Sequence, residues 1–227
     1  SWATKISSLD VASENASMGL DLLKTSEENY SLITEHLQRV RDLTEQAANG
    51  TYGDDSKAAI KAEITARLLE IDRISANAEF NGIPLMNGTG TAKNLQVGID
   101  NTANSKITLE AGLFAAADTA KLLGKVAAAY AEDCITTSSD QLEKIDAAIS
   151  NVSTRVTTIG AVQNRVESAI SAISVQSENL TSSLSTIKDA DVAEESSNYI
   201  KAQILQQASA TLLATANQLP SIALNLI

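Results

Sequence analysis

One heptad pattern constrains the fold of this chain more than any other feature. Between residues 138 and 187, two positions of a seven-residue repeat are almost entirely apolar over seven repeats. Such rows lie on one face of a helix and are typical of coiled coils. A helix of this length spans about 75 Å, which predicts an elongated molecule of packed helices. The rows are Leu142, Ile149, Val156, Gln163, Ile170, Ser177 and Leu184, and Ile145, Val152, Ile159, Val166, Ile173, Leu180 and Ile187.

Two further helices are predicted in the N-terminal half of the chain. Residues 3–48 carry an apolar heptad row and end at the turn-forming pair Asn49-Gly50. Residues 56–76 carry a second apolar face, and the short link between the two helices favours an antiparallel pair. The apolar rows are Leu9, Ala16, Leu23, Tyr30 and Leu37 in the first helix, and Ile60, Ile64, Leu68, Ile71 and Ile74 in the second.

The segment that follows these helices breaks their period. Asn-Gly pairs at 81–82 and 87–88 and a proline at 84 are typical of turns. Beyond them, two runs alternate apolar and polar side chains, which predicts a small β-hairpin over about 95–110. The alanine-rich residues 111–137 are predicted to contain at least one short helix near 121–131.

The C-terminal tail, residues 202–227, contains no charged side chain. Leu205, Leu212, Leu219 and Leu226 recur in it at heptad spacing. Six Gln or Asn side chains and a proline argue against a transmembrane helix. The apolar side chains of such a helix must be shielded from water in some other way, and we expect them to pack against another subunit.

Composition excludes several classes of function. With 17 basic and 28 acidic residues the net charge is −11, which disfavours nucleic acid and anionic membranes as partners. The single histidine, His36, comes without a nucleophile motif, and the single cysteine, Cys134, rules out a metal site built from several thiolates. No phosphate-binding or dinucleotide-binding motif is present. We therefore expect neither an enzyme nor a cofactor or metal site, and the start of the chain carries no cleavable signal pattern.

Several segments together resemble bacterial flagellins. The motifs are LQRVRDLTEQAANG at 37–50, AEITARLLEIDRI at 62–74 and FNG at 80–82. In the C-terminal half they are DAD at 189–191, EES at 194–196, KAQILQQA at 201–208 and ANQLP at 216–220. The resemblance covers about 5–110 and 138–227, with the motifs in the order the family has them.

The resemblance implies a structural protein that leaves the cell unfolded through the flagellar type III export apparatus, without a cleaved signal peptide. Outside the cell such a protein polymerises into the helical flagellar filament that serves motility. The implied partners are further copies of the chain, the flagellar export chaperone, and the hook-associated and cap proteins. Neither a nucleic acid nor a membrane is implied as a partner.

The resemblance also implies a domain organisation. We expect a mainly α fold, an elongated antiparallel helical bundle or coiled-coil rod with a small β-hairpin, over 1–187. A C-terminal inner-layer helix follows over 188–227. The rod would hold the helices 3–48, 56–76 and 138–187, the hairpin 95–110, and a short variable insert, 111–137, in place of the family's outer domain. The family's N-terminal helix, the partner of the tail, precedes the position matching Ser1, so we expect the tail to lack that neighbour.

Three residues match family positions that contact the vertebrate Toll-like receptor for flagellin: Arg39, Leu43 and Glu63. Arg39 and Leu43 are four residues apart on one helix, so a cation can lie beside an apolar contact. The alternative is that Arg39 pairs with a nearby carboxylate as an ordinary surface charge. In the family this surface also packs against neighbouring subunits, which implies a first role in assembly.

Other functions remain open from the sequence. A hook–filament junction protein shares both terminal regions of the family. A helical signalling hairpin, as in chemoreceptors, requires symmetric heptads on both arms, and the strand pattern at 95–110 fits it poorly. For the tail, packing against the chain's own helices is the alternative to contact with another subunit or with the chaperone's groove.

Overall fold

A computed structural model describes residues 2–224, apart from the side chains of residues 219 and 221–223. The mainly α fold is confirmed: long helices dominate and two small antiparallel sheets complete the structure. The helices are α1 (Trp2–Ala48), α2 (Asp54–Asn77), α3 (Thr119–Leu123), α4 (Ala127–Thr136) and α5 (Ser138–Leu224). The strands are β1 (Glu79–Phe80), β2 (Ile83–Pro84), β3 (Lys93–Gln96) and β4 (Lys106–Leu109), and single 3-10 turns occupy Ala103–Ser105 and Ala111–Phe114.

The chain divides into two compact units, and the larger one is Ser7–Val175. Within it, α1 and α5 run antiparallel, since Arg41 donates to Asp146 at 2.6 Å and Gln163 donates to Glu27 at 2.9 Å. The heptad pattern explains the packing, because one of its two rows on α5 is buried throughout this unit. That row consists of Ile145, Val152, Ile159, Val166 and Ile173.

Helix α2 buries its predicted apolar face in the shared core and lies close to α4 and α3. Two carboxylates, Asp54 and Asp55, lie in its first turn, where they interact favourably with the helix dipole. Its buried residues are Ile60, Ile64, Leu68, Ile71, Ile74 and Ser75. The antiparallel arrangement is fixed by polar contacts with α1, from Arg39 to Glu63 and from Arg67 to His36.

Two hairpins lie on this helical core. In the predicted one, β3 pairs with β4 in the register Leu95 to Ile107. The other, between β1 and β2, was not expected as a pair of strands. Its turn is formed by Asn81 and Gly82, which both have positive φ, at 49° and 74°, and this is why an Asn-Gly pair occupies it.

The alanine-rich segment 111–137, for which the sequence predicts at least one short helix near 121–131, contains two helices, α3 and α4. Helix α3 begins after Asp118, whose side chain accepts from the backbone N–H of Lys121, and ends at Gly124. Gly124 has φ +81°, a left-handed conformation that terminates helices. Helix α4 then follows as a separate element, and its buried Tyr130 and Cys134 join the core.

The second unit comprises Ser1–Ile6 and Gln176–Ile227. In it, α5 continues without interruption through position 187, where the sequence predicts the end of the rod. The reason is local, because no glycine or proline lies between Gly160 and Pro220. No helix ends at residue 187, where the sequence predicts the boundary between the rod and the inner-layer helix. That boundary stays a prediction.

Candidate functional site

The tail of α5 presents large apolar side chains to solvent. Leu205 is 66% exposed and Leu212 is 74% exposed, and their neighbours Ile204 and Leu213 are 59% and 66% exposed. The side chain of Leu219 and all of Leu226 lie outside the described residues. The role of this leucine stripe in contact with another subunit or with a chaperone stays a prediction.

This exposure is unusual for a helix of an acidic protein. Solvated helix faces normally carry charge, but residues 202–224 have none. A contiguous apolar patch marks an interaction surface, because its burial releases roughly 25 cal/mol per Å². None of the described helices is long and apolar enough to cross a membrane.

A second predicted site lies where α1 meets α2. The Nε of Arg39 donates to Oε1 of Glu63 at 2.8 Å, and Arg67 approaches the same oxygen at 3.8 Å. The Arg39 guanidinium lowers the pKa of the Glu63 carboxyl, chiefly through this hydrogen bond. Both side chains stay partly accessible, at 41% and 37% exposed. Part of both charged groups therefore stays in contact with water, where a partner protein could reach them.

Leu43 does not join this surface. The sequence predicts it as an apolar contact beside Arg39, but it is only 2% exposed and belongs to the core. The reason is helical spacing: Leu43 follows Val40 by three residues, and Val40 is on a buried row. The signal was present in the sequence, since Ile33, Val40 and Ala47 form that row. Leu43 is therefore not available for direct contact with a partner in this structure.

Cys134 and Tyr130 are buried and stay protonated at neutral pH. Burial raises the pKa of the Cys134 thiol to about 11, so it stays protonated at neutral pH. Burial also raises the pKa of the nearby Tyr130 phenol. Among the described residues, no group of three His, Cys, Asp or Glu side chains could hold a metal ion.

Arg155 is a structurally important residue that the sequence did not indicate. Its Nη1 donates to the carbonyl oxygens of Ala115 and Ala116 and to the hydroxyl of Tyr30. These partners are 39 or more residues away in sequence, and two of them are backbone atoms. No periodic pattern could identify such a contact, which joins α5 to α1 and to the loop before α3.

Two family models match this chain, one in its N-terminal part and one in its C-terminal part. The family model for the bacterial flagellin N-terminal helical region matches residues 1–91, which contain α1, α2 and the first hairpin. The model for the bacterial flagellin C-terminal helical region matches residues 142–227, nearly all of α5.

Individual relatives agree. The flagellin of Bacillus subtilis (strain 168) is 36% identical over 251 residues, which cover 98% of this chain and 82% of that protein. The crystal structure of Bacillus cereus flagellin is similar with a TM-score of 0.59 at 25% identity, covering 75% of this chain and 94% of that one. The crystal structure of Bacillus cereus FlgL shares the fold, with a TM-score of 0.60 at 16% identity over 79% of this chain and 96% of that one.

Proposed function

The chain belongs to the bacterial flagellin family, and we propose that it is a structural subunit that assembles with copies of itself into the helical flagellar filament for motility. The observation that carries this proposal is the uncharged, exposed apolar face of α5 around Leu205 and Leu212. Such a face is stable in water only when it is covered, and identical neighbours in a filament supply that cover at every subunit.

The proposal extends to the layers of the filament. Residues 1–187 form the rod, with the short segment 111–137 on its variable side, and residues 188–227 form the inner-layer helix. The lack of charge beyond Lys201 supports this assignment, because an inner layer is shielded from solvent. The filament is extracellular, and the subunit reaches it by flagellar type III export without a cleaved signal peptide.

The same tail face supports further partners before assembly. An export chaperone would cover the leucine stripe in its groove, and hook-associated and cap proteins would contact the subunits at the two filament ends. The fold likeness to FlgL is consistent with contacts between related helical rods. It does not favour a junction protein for this chain, because that likeness extends to the fold alone.

A receptor surface forms part of the proposal. The partly exposed Arg39–Glu63 pair offers two hydrogen-bonding charges to the vertebrate Toll-like receptor for flagellin, whereas the third predicted residue, Leu43, is buried in the core. In the filament the same pair packs against neighbouring subunits, which makes assembly its first role.

Assembly is tested by replacing two tail leucines. The double variant L205S/L212S should raise the critical concentration for filament formation by about a hundredfold or more, since each leucine loses roughly 1.5–3 kcal/mol of burial. Negative-stain microscopy and sedimentation after addition of ammonium sulfate measure this. The matched control is V126S, which removes an exposed apolar side chain outside the tail. Equal assembly by both variants would contradict the proposal.

A further inference from the structure

An open cleft with both apolar and polar lining residues lies between the β3–β4 hairpin and α5, entirely within the unit Ser7–Val175. It has a volume of about 530 Å³. Lys106 of β4 and Arg165 of α5 both line it, together with the polar residues Asn104, Asn164 and Ser168. None of the residues that line the cleft is acidic.

Arg165 differs from every other arginine in the described chain. The other five all have hydrogen-bond or ion-pair partners within the protein. Arg165 has none among the described residues, and Lys106 donates only to the neutral Oδ1 of Asn101 at 2.8 Å. In a chain of net charge −11, two cations without a carboxylate in one cleft form a conspicuous anion-binding environment.

We propose that this cleft is an assembly socket that binds a carboxylate side chain from a neighbouring copy of the chain. The inference rests on the proposed filament function, which supplies that neighbour. A guanidinium binds a carboxylate through two parallel hydrogen bonds, and an amine adds a third donor. The side-chain amides and the hydroxyl around them can satisfy the remaining acceptor sites of the carboxylate.

Charge favours a second copy as the occupant. Each copy carries 28 acidic residues against 17 basic ones, so its surface supplies carboxylates in excess. Copies of such a chain repel one another overall, and assembly requires points where opposite charges meet. The Arg165–Lys106 cleft provides such a point in every subunit.

Zero-length carbodiimide cross-linking tests the contact directly. This reagent joins the Lys106 amine to a carboxylate only when the two groups touch. Filaments grown from a mixture of ¹⁵N-labelled and unlabelled chains should yield a mixed-isotope peptide that joins Lys106 to an Asp or Glu, and unassembled chains should not. A Lys106 cross-link found only within single chains would overturn the proposal.

Truncation of the arginine tests its contribution to assembly. R165A should raise the critical concentration for assembly by about tenfold, and the increase should shrink at high salt. K144A is the matched control, because it removes another cation of α5 that does not line the cleft. If the parent chain and both variants assemble equally, the socket is wrong and the filament function stands. If neither the parent chain nor a chain with the family's N-terminal helix added before Ser1 assembles, both proposals fail.

A free carboxylate is the alternative occupant. Titration of unassembled chains with sodium acetate, followed by NMR of the Arg165 side chain, distinguishes it from a neighbour. We expect only weak, non-saturating shifts, since the proposed site relies on the assembly to hold the carboxylate in place. Saturable acetate binding that R165A abolishes, without an effect of R165A on assembly, would assign the cleft to a free anion and contradict the proposal.

Discussion

Arg155 and Tyr30 are joined across the two longest helices by a hydrogen bond of 3.3 Å from Nη1 to the phenol oxygen. The same nitrogen donates to the carbonyl of Ala116 at 2.8 Å, and the guanidinium carbon lies 6.0 Å from the Tyr30 ring centroid. This half-buried cation therefore ties α1, α5 and the loop before α3 into one core.

Replacement of Arg155 should destabilise the unit Ser7–Val175. R155M keeps much of the side-chain volume but leaves two carbonyls and a hydroxyl without their donor, which costs about 2 kcal/mol. Urea denaturation followed by circular dichroism measures the change in the free energy of unfolding. R165M serves as the control, since Arg165 makes no hydrogen bond among the described residues. A loss no larger in R155M than in R165M would contradict the role of Arg155.

Removal of Arg39 should change the acid titration of Glu63. The arginine lowers the pKa of this carboxyl below its ordinary value of 4.5, so R39A should return it towards that value. Because the folded-state pKa is the lower one, the pair stabilises the fold above the unfolded pKa. That contribution is lost as pH falls through the folded pKa. NMR titration of the Glu63 carboxyl carbon measures the shift, and an unchanged midpoint in R39A would refute the coupling.

Two glycines should respond in opposite directions to alanine substitution. A Cβ on Gly19 would overlap the side chain of Leu95, so G19A should force that side chain out of its packing and destabilise the unit by about 1–3 kcal/mol, less any gain in helix propensity. Gly160 has no neighbouring atom within 4 Å of such a Cβ, and G160A should stabilise α5 by about 0.5–1 kcal/mol.

Thermal unfolding compares these variants, and L95A in the G19A background is the internal test. If contact with Leu95 is the cause, G19A should lower the melting temperature much less in the L95A background than in the parent chain. An equal cost of G19A in both backgrounds would show that Leu95 is not responsible.

The Cys134 thiol should give the stability of the core an alkaline pH dependence. Its pKa rises from 9.0 to about 11 on burial, so between these values the folded chain holds a proton that the unfolded chain has lost. Stability from this group is complete below pH 9.0 and is lost as pH rises towards about 11.

Unfolding by urea at several pH values measures this slope, and C134A should reduce it. Part of the slope should remain, because the pKa of Tyr130 is also raised. At pH 8, iodoacetamide should modify Cys134 only in denaturant. Rapid modification of the folded chain would contradict the burial of the thiol.

The long-range pattern of this fold could be predicted because it depends on periodicity. The row from Ile145 to Ile173 faces the core, and heptad spacing alone identifies such a row. Alternation of apolar and polar side chains predicted the hairpin over about 95–110, whereas its register of Leu95 with Ile107 and its start at Lys93 were not predicted. These signals are local and repeat many times, so a single polar exception such as Gln163 does not obscure them.

Features that depend on single tertiary contacts could not be predicted. The Arg155 contacts join backbone and side-chain atoms that are distant in sequence, and the two-residue strands around Asn81 are too short to show alternation. Leu43 is different, because its place three residues after Val40 was sufficient to predict burial. The family resemblance instead predicted a contact between Leu43 and the receptor.

Hydrogen exchange of the tail tests the central claim most directly, namely that neighbouring copies cover the apolar face of α5. Mass spectrometry would follow the peptide spanning Tyr199–Leu213 in unassembled chains and in filaments. We predict that exchange in this peptide slows at least about tenfold on assembly, while the already buried residues around Val152 change little. Equal exchange of the tail peptide in the two states would contradict the account.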